Sequence, residues 1–177
     1  DELTGRLEAP ESVEIRPRVS GFIDRVSFEE GAVVKKGDLL FQIDPRPFQA
    51  QVKRLEAELQ QARATQTRTA SEAQRGERLR ASNAISAELA DARISAASEA
   101  KAAAAAIQAQ LEAAKLDLGF TRVTAPIDGR VGRALITAGN LVNAGEALLT
   151  PLVSTDKVYA YFAADERTYL KYCQLPR

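Results

Sequence analysis

Few residues in this 177-residue chain could carry covalent or acid–base chemistry. There is no histidine, which removes the commonest general base and metal ligand together. The single cysteine, Cys173 in YLKYCQL, excludes an internal disulfide and any cysteine-cluster metal site. It fits either a half-buried small apolar residue or a reactive thiol. Glu29 and Glu30 are adjacent beside a turn, and neighbouring side chains on a strand point to opposite faces, so they form no carboxylate pair. Lys35 and Lys36 sit just before Gly37 in KKGD and read as solvated turn residues. No glycine-rich phosphate loop is present, and the other carboxylates are scattered. These residue types point away from an enzyme, a metal site or a cofactor site, and toward a protein that works by binding.

The charge balance narrows what it could bind. Lys plus Arg and Asp plus Glu each number 24, so no global basic field exists to attract nucleic acid, and no nucleic-acid-binding motif appears. No apolar run reaches the ~18 residues that would suggest a membrane span. Methionine is absent and the chain starts in mid-pattern with DELTGR, which suggests a fragment of a longer protein with any targeting segment removed.

The elements that would position a binding surface are announced by a repeat. RVSGFIDRVSFEEGAVVKKGDLLFQID, residues 18–44, nearly recurs as APIDGRVGRALITAGNLVNAGEALLTPL, residues 125–152. At an offset of 108, Gly21, Gly31 and Gly37 fall on Gly129, Gly139 and Gly145 without a gap. Arg25, Val34 and Leu40 then match Arg133, Val142 and Leu148, and Asp38 meets Glu146. Within each copy, apolar alternation bounded by glycine turns predicts short half-buried strands. Each copy is too small to bury a face alone, so the two are expected to pack together as a flattened β-sandwich.

Residues 45–119 separate the copies and read as helical. Asp44 can cap the start, and a proline in the first turn is tolerated there. Steps of three and four link Phe48, Val52, Leu55, Leu59 and Ala62, then Thr69 and Ala73, on a first arm. Read backwards from Leu118, the second arm runs through Ala114, Leu111, Ile107, Ala104, Ala100 and Ala97. This is the spacing of a coiled-coil seam. Ser82 and Asn83 break the helix, Ser86 resembles a new N-terminus, and Gly119 is placed to cap the end. Each arm is roughly 50 Å long at 1.5 Å per residue. Because the arms join neighbouring half-sandwiches, they must run out and return as an antiparallel hairpin. The alanine-rich seam buries little per contact, and two helices leave flanks that suit either partner helices or a bare spacer rod.

The spacing G-x(9)-G-x(5)-G-[DE]-x-L resembles half of a biotinyl/lipoyl carrier domain. A genuine carrier joins its halves through a hairpin bearing a modifiable lysine, whereas here the first half leaves through FQIDPRPF, with Pro45 in that region. The fold resembles the carrier and the chemistry does not. Across essentially the whole chain, the order half-lipoyl, helical hairpin, half-lipoyl, strand-rich tail resembles the periplasmic adaptor (membrane fusion protein) family of tripartite efflux pumps. GRLEAPESVEIRPRVSG, LLFQIDPRPF and FTRVTAPIDGRVG carry the likeness, which is greatest to adaptors of resistance-nodulation-division (RND) transporters.

The resemblance implies an α+β fold: an antiparallel coiled-coil hairpin (45–119) inserted into a split lipoyl/biotinyl-like sandwich (18–44 and 120–152), flanked by part of a β-barrel domain (1–17 and 153–177). In the tail, VYAYF reads as a strand and a short helix is expected from Asp165. The family's tip signature R-x3-L-x6-S is present as Arg75, Leu79 and Ser86. By resemblance these dock onto an outer-membrane channel. Arg75 and Leu79 are i,i+4 neighbours, offering charge-assisted donors and an apolar anchor. The alternative for Arg75 is one of the solvated charges among Arg78 and Arg80, and Ser86 could equally cap the returning helix. The implied function is a non-catalytic adaptor without cofactors. It would sit in the periplasm, anchored to or associated with the inner membrane. There it would link a drug/proton antiporter, mainly through regions outside this chain, to the channel. Copies would stand side by side, six in the assembled pump. The alternatives are an adaptor of an ABC-type exporter or type I secretion system and, less favoured, a carrier domain.

Overall fold

The computed structural model describes residues 5–162. The expected short helix from Asp165, and Cys173, lie outside the described residues. The chain divides into two compact units, one spanning Asp44–Thr121 and the other made of the segments on either side.

The flanking segments form two four-stranded antiparallel sheets. One holds β2 (Ser12–Ile15), β9 (Thr150–Val153), β7 (Gly129–Val131) and β4 (Val33–Val34) in that order. The other holds β6 (Arg122–Thr124), β5 (Leu39–Ile43), β3 (Gly21–Val26) and β8 (Leu141–Val142). Each sheet therefore takes two strands from each half of the repeat: the copies exchange strands rather than pack as separate halves.

The exchange obeys the offset seen in the sequence. Gly21 pairs with Val142 and Phe22 with Leu141; shifted by 108 in each direction, these become Gly129 with Val34 and Arg130 with Val33, which is the observed β4–β7 register. Loop bonds follow the same pseudo-two-fold. Ile23 N–H donates to the Asn140 carbonyl at 2.9 Å, and Val131 N–H to the Ala32 carbonyl at 3.0 Å. Gly37 N–H donates to Ala125 O and Gly145 N–H to Pro17 O, both at 2.8 Å. These two glycines have φ of 96° and 74°, a left-handed turn conformation that glycine adopts without strain.

The acidic residue after each of these glycines closes its turn. The Asp38 carboxylate accepts from Lys35 N–H at 2.8 Å, and the Glu146 carboxylate from the Asn143 side-chain amide at 3.0 Å. The Lys35 and Lys36 side chains are exposed, as turn residues would be. Buried between the sheets are Ile23, Leu40, Phe41, Ile43, Val131, Leu149 and Leu152, each at most 1% exposed. At ~2 kcal/mol per buried aliphatic side chain, this is the main source of the unit's stability.

Ser12–Ile15, which the sequence grouped with the flanking segment 1–17, is hydrogen-bonded along β9 in the sandwich. It is the first-half counterpart of β6, which pairs with β5 as β2 pairs with β9. The β4 and β8 strands are only two residues each and leave no alternation to read. Outside the sandwich, β1 (Gly5–Glu8) pairs with β10 (Tyr159–Phe162) as a two-stranded antiparallel ribbon. Tyr159 and Tyr161 meet edge to face at 6.4 Å, and the Arg6 guanidinium lies 5.8 Å from the Tyr161 ring centroid.

The second unit is the helical hairpin: α1 (Arg46–Ala81) and α2 (Ala87–Phe120). Val52, Leu55, Leu59, Leu111 and Ala114 form its buried apolar cluster, with Ile107 and Leu118 packed against it. These are the seam positions read from the 3/4 spacing. Pairs across the helices fix the antiparallel register. Glu56 meets Lys115 at 3.1 Å; one heptad further along α1 and one heptad back along α2, Arg63 donates to Gln108 at 2.9 Å. At the start, Pro45 occupies the cap position with no side-chain bond. Asp44, one residue earlier, accepts from Arg46 N–H at 3.0 Å. At the end, Gly119 does not stop α2. The helix runs one residue further, and the Thr121 hydroxyl donates to the Leu118 carbonyl at 2.7 Å, satisfying the group that a glycine cap would have addressed. No helix among the described residues is long and apolar enough to cross a membrane.

Candidate partner-docking site at the hairpin tip

The turn between the helices has hydrogen-bonded caps on both sides. Asn83 adopts φ of 55°, its N–H donates to the Arg80 carbonyl at 2.9 Å, and Ala84 N–H donates to the Leu79 carbonyl at 2.8 Å. This is a Schellman closure, with asparagine in the left-handed position usually given to glycine. On the other side, Ser86 is extended and its hydroxyl accepts from Leu89 N–H at 3.2 Å, an N-cap bond. Glu88 in the first turn of α2, and Arg78 with Arg80 in the last turn of α1, each carry the sign that the helix dipole favours.

Arg75, Leu79 and Ser86 thus all lie within the last two turns of α1 and the first residue before α2. Arg75 is exposed, and among the described residues its guanidinium has no hydrogen bond or ion pair. Leu79 is half-buried and lies one helical turn further on, on the same face. Ser86 is exposed, and its cap bond occupies one lone pair of the hydroxyl, leaving the proton and a second lone pair available. The cap reading of Ser86 is therefore the structure's, and it does not exclude a contact through the remaining valences.

Three tip features escaped the sequence reading. Arg80 pairs with Asp91 at 3.0 Å and ties α1 to α2 just below the turn. Gly76 is buried; a Cβ there would stand 3.0 Å from Arg93 Cδ and 3.8 Å from Ala90 Cα, so the helices close on each other at this residue. Ala90 is fully buried in the same contact. Gly76, the glycine in the interior of the insert, was the available signal for this close approach, although its partner across the hairpin was not.

Among the described residues no group of three or more His, Cys, Asp or Glu side chains is placed to hold a metal ion. What the tip offers is donors and one apolar side chain on a capped, exposed helical end.

A strand-exchanged sandwich whose halves are separated in the chain by an antiparallel helical hairpin is the architecture of membrane fusion proteins. Solved structures with it include a MacA–MexA chimera carrying the Pseudomonas aeruginosa MexA α-hairpin. It is 30% identical, with 95% of this chain and 56% of that chain covered, at a TM-score of 0.55. ZneB from Cupriavidus metallidurans, at 23% identity with 96% of this chain and 72% of that chain covered, shares the fold at a TM-score of 0.60.

Residues 11–154 match the family described as RND MFP, barrel-sandwich hybrid domain, and the chain belongs to that family. It is 37% identical over 164 residues to the efflux pump periplasmic linker BepD of Brucella suis, with 92% of this chain and 41% of BepD covered. It is 34% identical over 171 residues to the multidrug efflux pump subunit AcrA of Escherichia coli K12, with 96% of this chain and 43% of AcrA covered. The chain spans about two fifths of the length of these relatives.

Proposed function

We propose that this chain is the hairpin-and-sandwich part of a periplasmic adaptor that links an inner-membrane drug/proton antiporter to an outer-membrane channel for multidrug export. The observation that carries the reading is the tip: an exposed guanidinium without an intramolecular partner, Arg75, one turn from the half-exposed Leu79, on a capped helical end. Family membership and relatives named as efflux-pump linkers support it. The work is interfacial and involves no catalysis or cofactor. Arg75, Leu79 and the free valences of Ser86 meet the channel's periplasmic helices, the first as donor and the second as anchor. Two helices enclose nothing, so a sealed conduit requires copies side by side, six in the assembled pump. The protein works in the periplasm, held at the inner membrane. The ribbon of β1 and β10 is the beginning of a β-barrel domain, and the transporter contacts lie mainly in parts of the protein beyond this chain.

The test is a photo-crosslinking residue at Leu79 in the full-length protein, in cells. An adduct with an outer-membrane channel, lost on Arg75→Asp, is the expected result. Capture of neighbouring copies alone, or of an inner-membrane protein, overturns the assignment of the tip.

A further inference from the structure

The seam of α2 runs through Ala90, Arg93, Ala97, Ala100 and Ala104 in steps of three and four, all buried or half-buried. One of these positions is an arginine, where the pattern calls for a small or apolar residue. The facing helix answers it with a glycine. The Arg93 stem lies over Gly76, with Cδ 3.0 Å and Cβ 3.7 Å from where a Gly76 Cβ would stand. The notch is size-complementary: the missing side chain on α1 holds the methylenes of the arginine on α2. Arginine tolerates this because its stem is apolar while its head must reach polar surroundings.

The guanidinium so held has no acceptor among the described residues. Among the described residues neither Arg93 nor Arg75, the residue adjoining Gly76, donates to a carbonyl or pairs with a carboxylate. Of the acids near the turn, Asp91 is engaged by Arg80, and Glu77 and Glu88 bond neither arginine. Packing the stem in the notch leaves the head held in place without an intramolecular partner to fix it, so its donors are open to an acceptor from outside the chain.

We infer that Arg93 is a second docking residue of the tip, its stem held in the Gly76 notch, and that it takes a carboxylate on a helix end or loop of the outer-membrane channel. The inference rests on the docking role proposed above and extends it to a residue outside the R-x3-L-x6-S spacing. A planar guanidinium with five N–H donors suits carboxylate oxygens, to which arginine donates in bidentate fashion. The notch also makes the arrangement directional, because the stem is held by packing before the partner arrives and less freedom is lost on binding.

The experiment uses the full-length protein in cells with the photo-crosslinker at Leu79 and compares channel adduct yields for Arg93→Met, Arg93→Lys and Arg75→Ala. Arg93→Met keeps the stem in the notch and removes the charge; its yield is expected to fall about tenfold, the scale of one lost charge-assisted hydrogen bond. Arg93→Lys is expected to restore part of it. Rescue is also expected to weaken as salt rises, since a lysine retains the charge without the planar fork. Unchanged adduct yield in Arg93→Met overturns the inference, because packing alone would then account for the residue. If the parent protein gives no channel adduct, the docking role itself fails. If the parent does and Arg75→Ala reduces it while Arg93→Met does not, only the role of Arg93 fails.

Discussion

The two ends of the hairpin are built on opposite principles. At the base, Val52, Leu55, Leu59 and Leu111 close a dry cluster in which each side chain is under 10% exposed. Toward the tip the buried seam positions are Thr69, Gly76, Ala90 and Ala104, which remove little apolar area from water. What joins the helices there is close approach at Gly76 and the exposed Arg80–Asp91 pair. The base is therefore the source of the hairpin's stability. The tip contributes geometry, and among the described residues Arg75 there is exposed without an intramolecular partner. Regions that bind are often drawn from the less stable end of a structure, and the gradient along these helices has that sense.

The contrast fails or holds by the size of a few substitutions. The largest change is expected at the base: Leu55→Ala should lower the unfolding free energy of the hairpin by about 2–5 kcal/mol, read as a shifted denaturant midpoint of the helical signal. A loss below about 1 kcal/mol there would mean the cluster is not what holds the helices together. Next comes the cap. Ser86→Ala removes the acceptor for Leu89 N–H and should cost about 1 kcal/mol, with fraying at the start of α2 visible in amide hydrogen exchange.

Gly76→Ala sharpens the comparison, because stability and docking should part. A helical alanine gains up to about 1 kcal/mol over glycine, while the new methyl pushes on a flexible arginine stem that can give way. Stability should stay level or rise, and the channel adduct should fall as Arg93 is displaced. A rise in both would detach the notch from docking. Arg80→Ala should lower stability by only about 0.5 kcal/mol, because the two side chains are 51% and 64% exposed and water screens them. A loss of several kcal/mol would show that the tip depends on its ion pair as the base depends on leucine.

The smallest effect concerns acid. The Asp44 carboxylate is held below its ordinary 3.8, first by the side-chain hydrogen bonds from Arg46, then by the Arg46 backbone N–H. A depressed folded-state value stabilises above the unfolded one, so this contribution is present above about pH 4 and is lost as pH falls through the lowered value. The Arg46 amide resonance should follow that titration and cease to do so in Asp44→Asn.

Much of this was legible along the chain. The 3/4 spacing located Val52, Leu55, Leu59 and Leu111 because a helix places those residues on one face whatever surrounds it. Ser82, Asn83 and Ser86 announced the turn through local chemistry alone. Gly119 misled because a glycine near a helix end permits a stop without requiring one, and the Thr121 hydroxyl supplied the closure. Arg93 lay on the alanine seam yet could not be read as part of it, since its charge belongs in water and only the facing glycine makes room for its stem.

The amino-acid sequence by itself determined the repeat, its glycine turns, the helical insert and the tip signature, since each is read from the identity and spacing of residues along the chain. Only the tertiary structure decided which strands the two copies exchange, that Ser12–Ile15 belongs to the sandwich, and that Gly76 receives Arg93. Those depend on contacts between residues far apart in the chain. Local periodicity fixes which face of an element is apolar and leaves open which distant face will cover it.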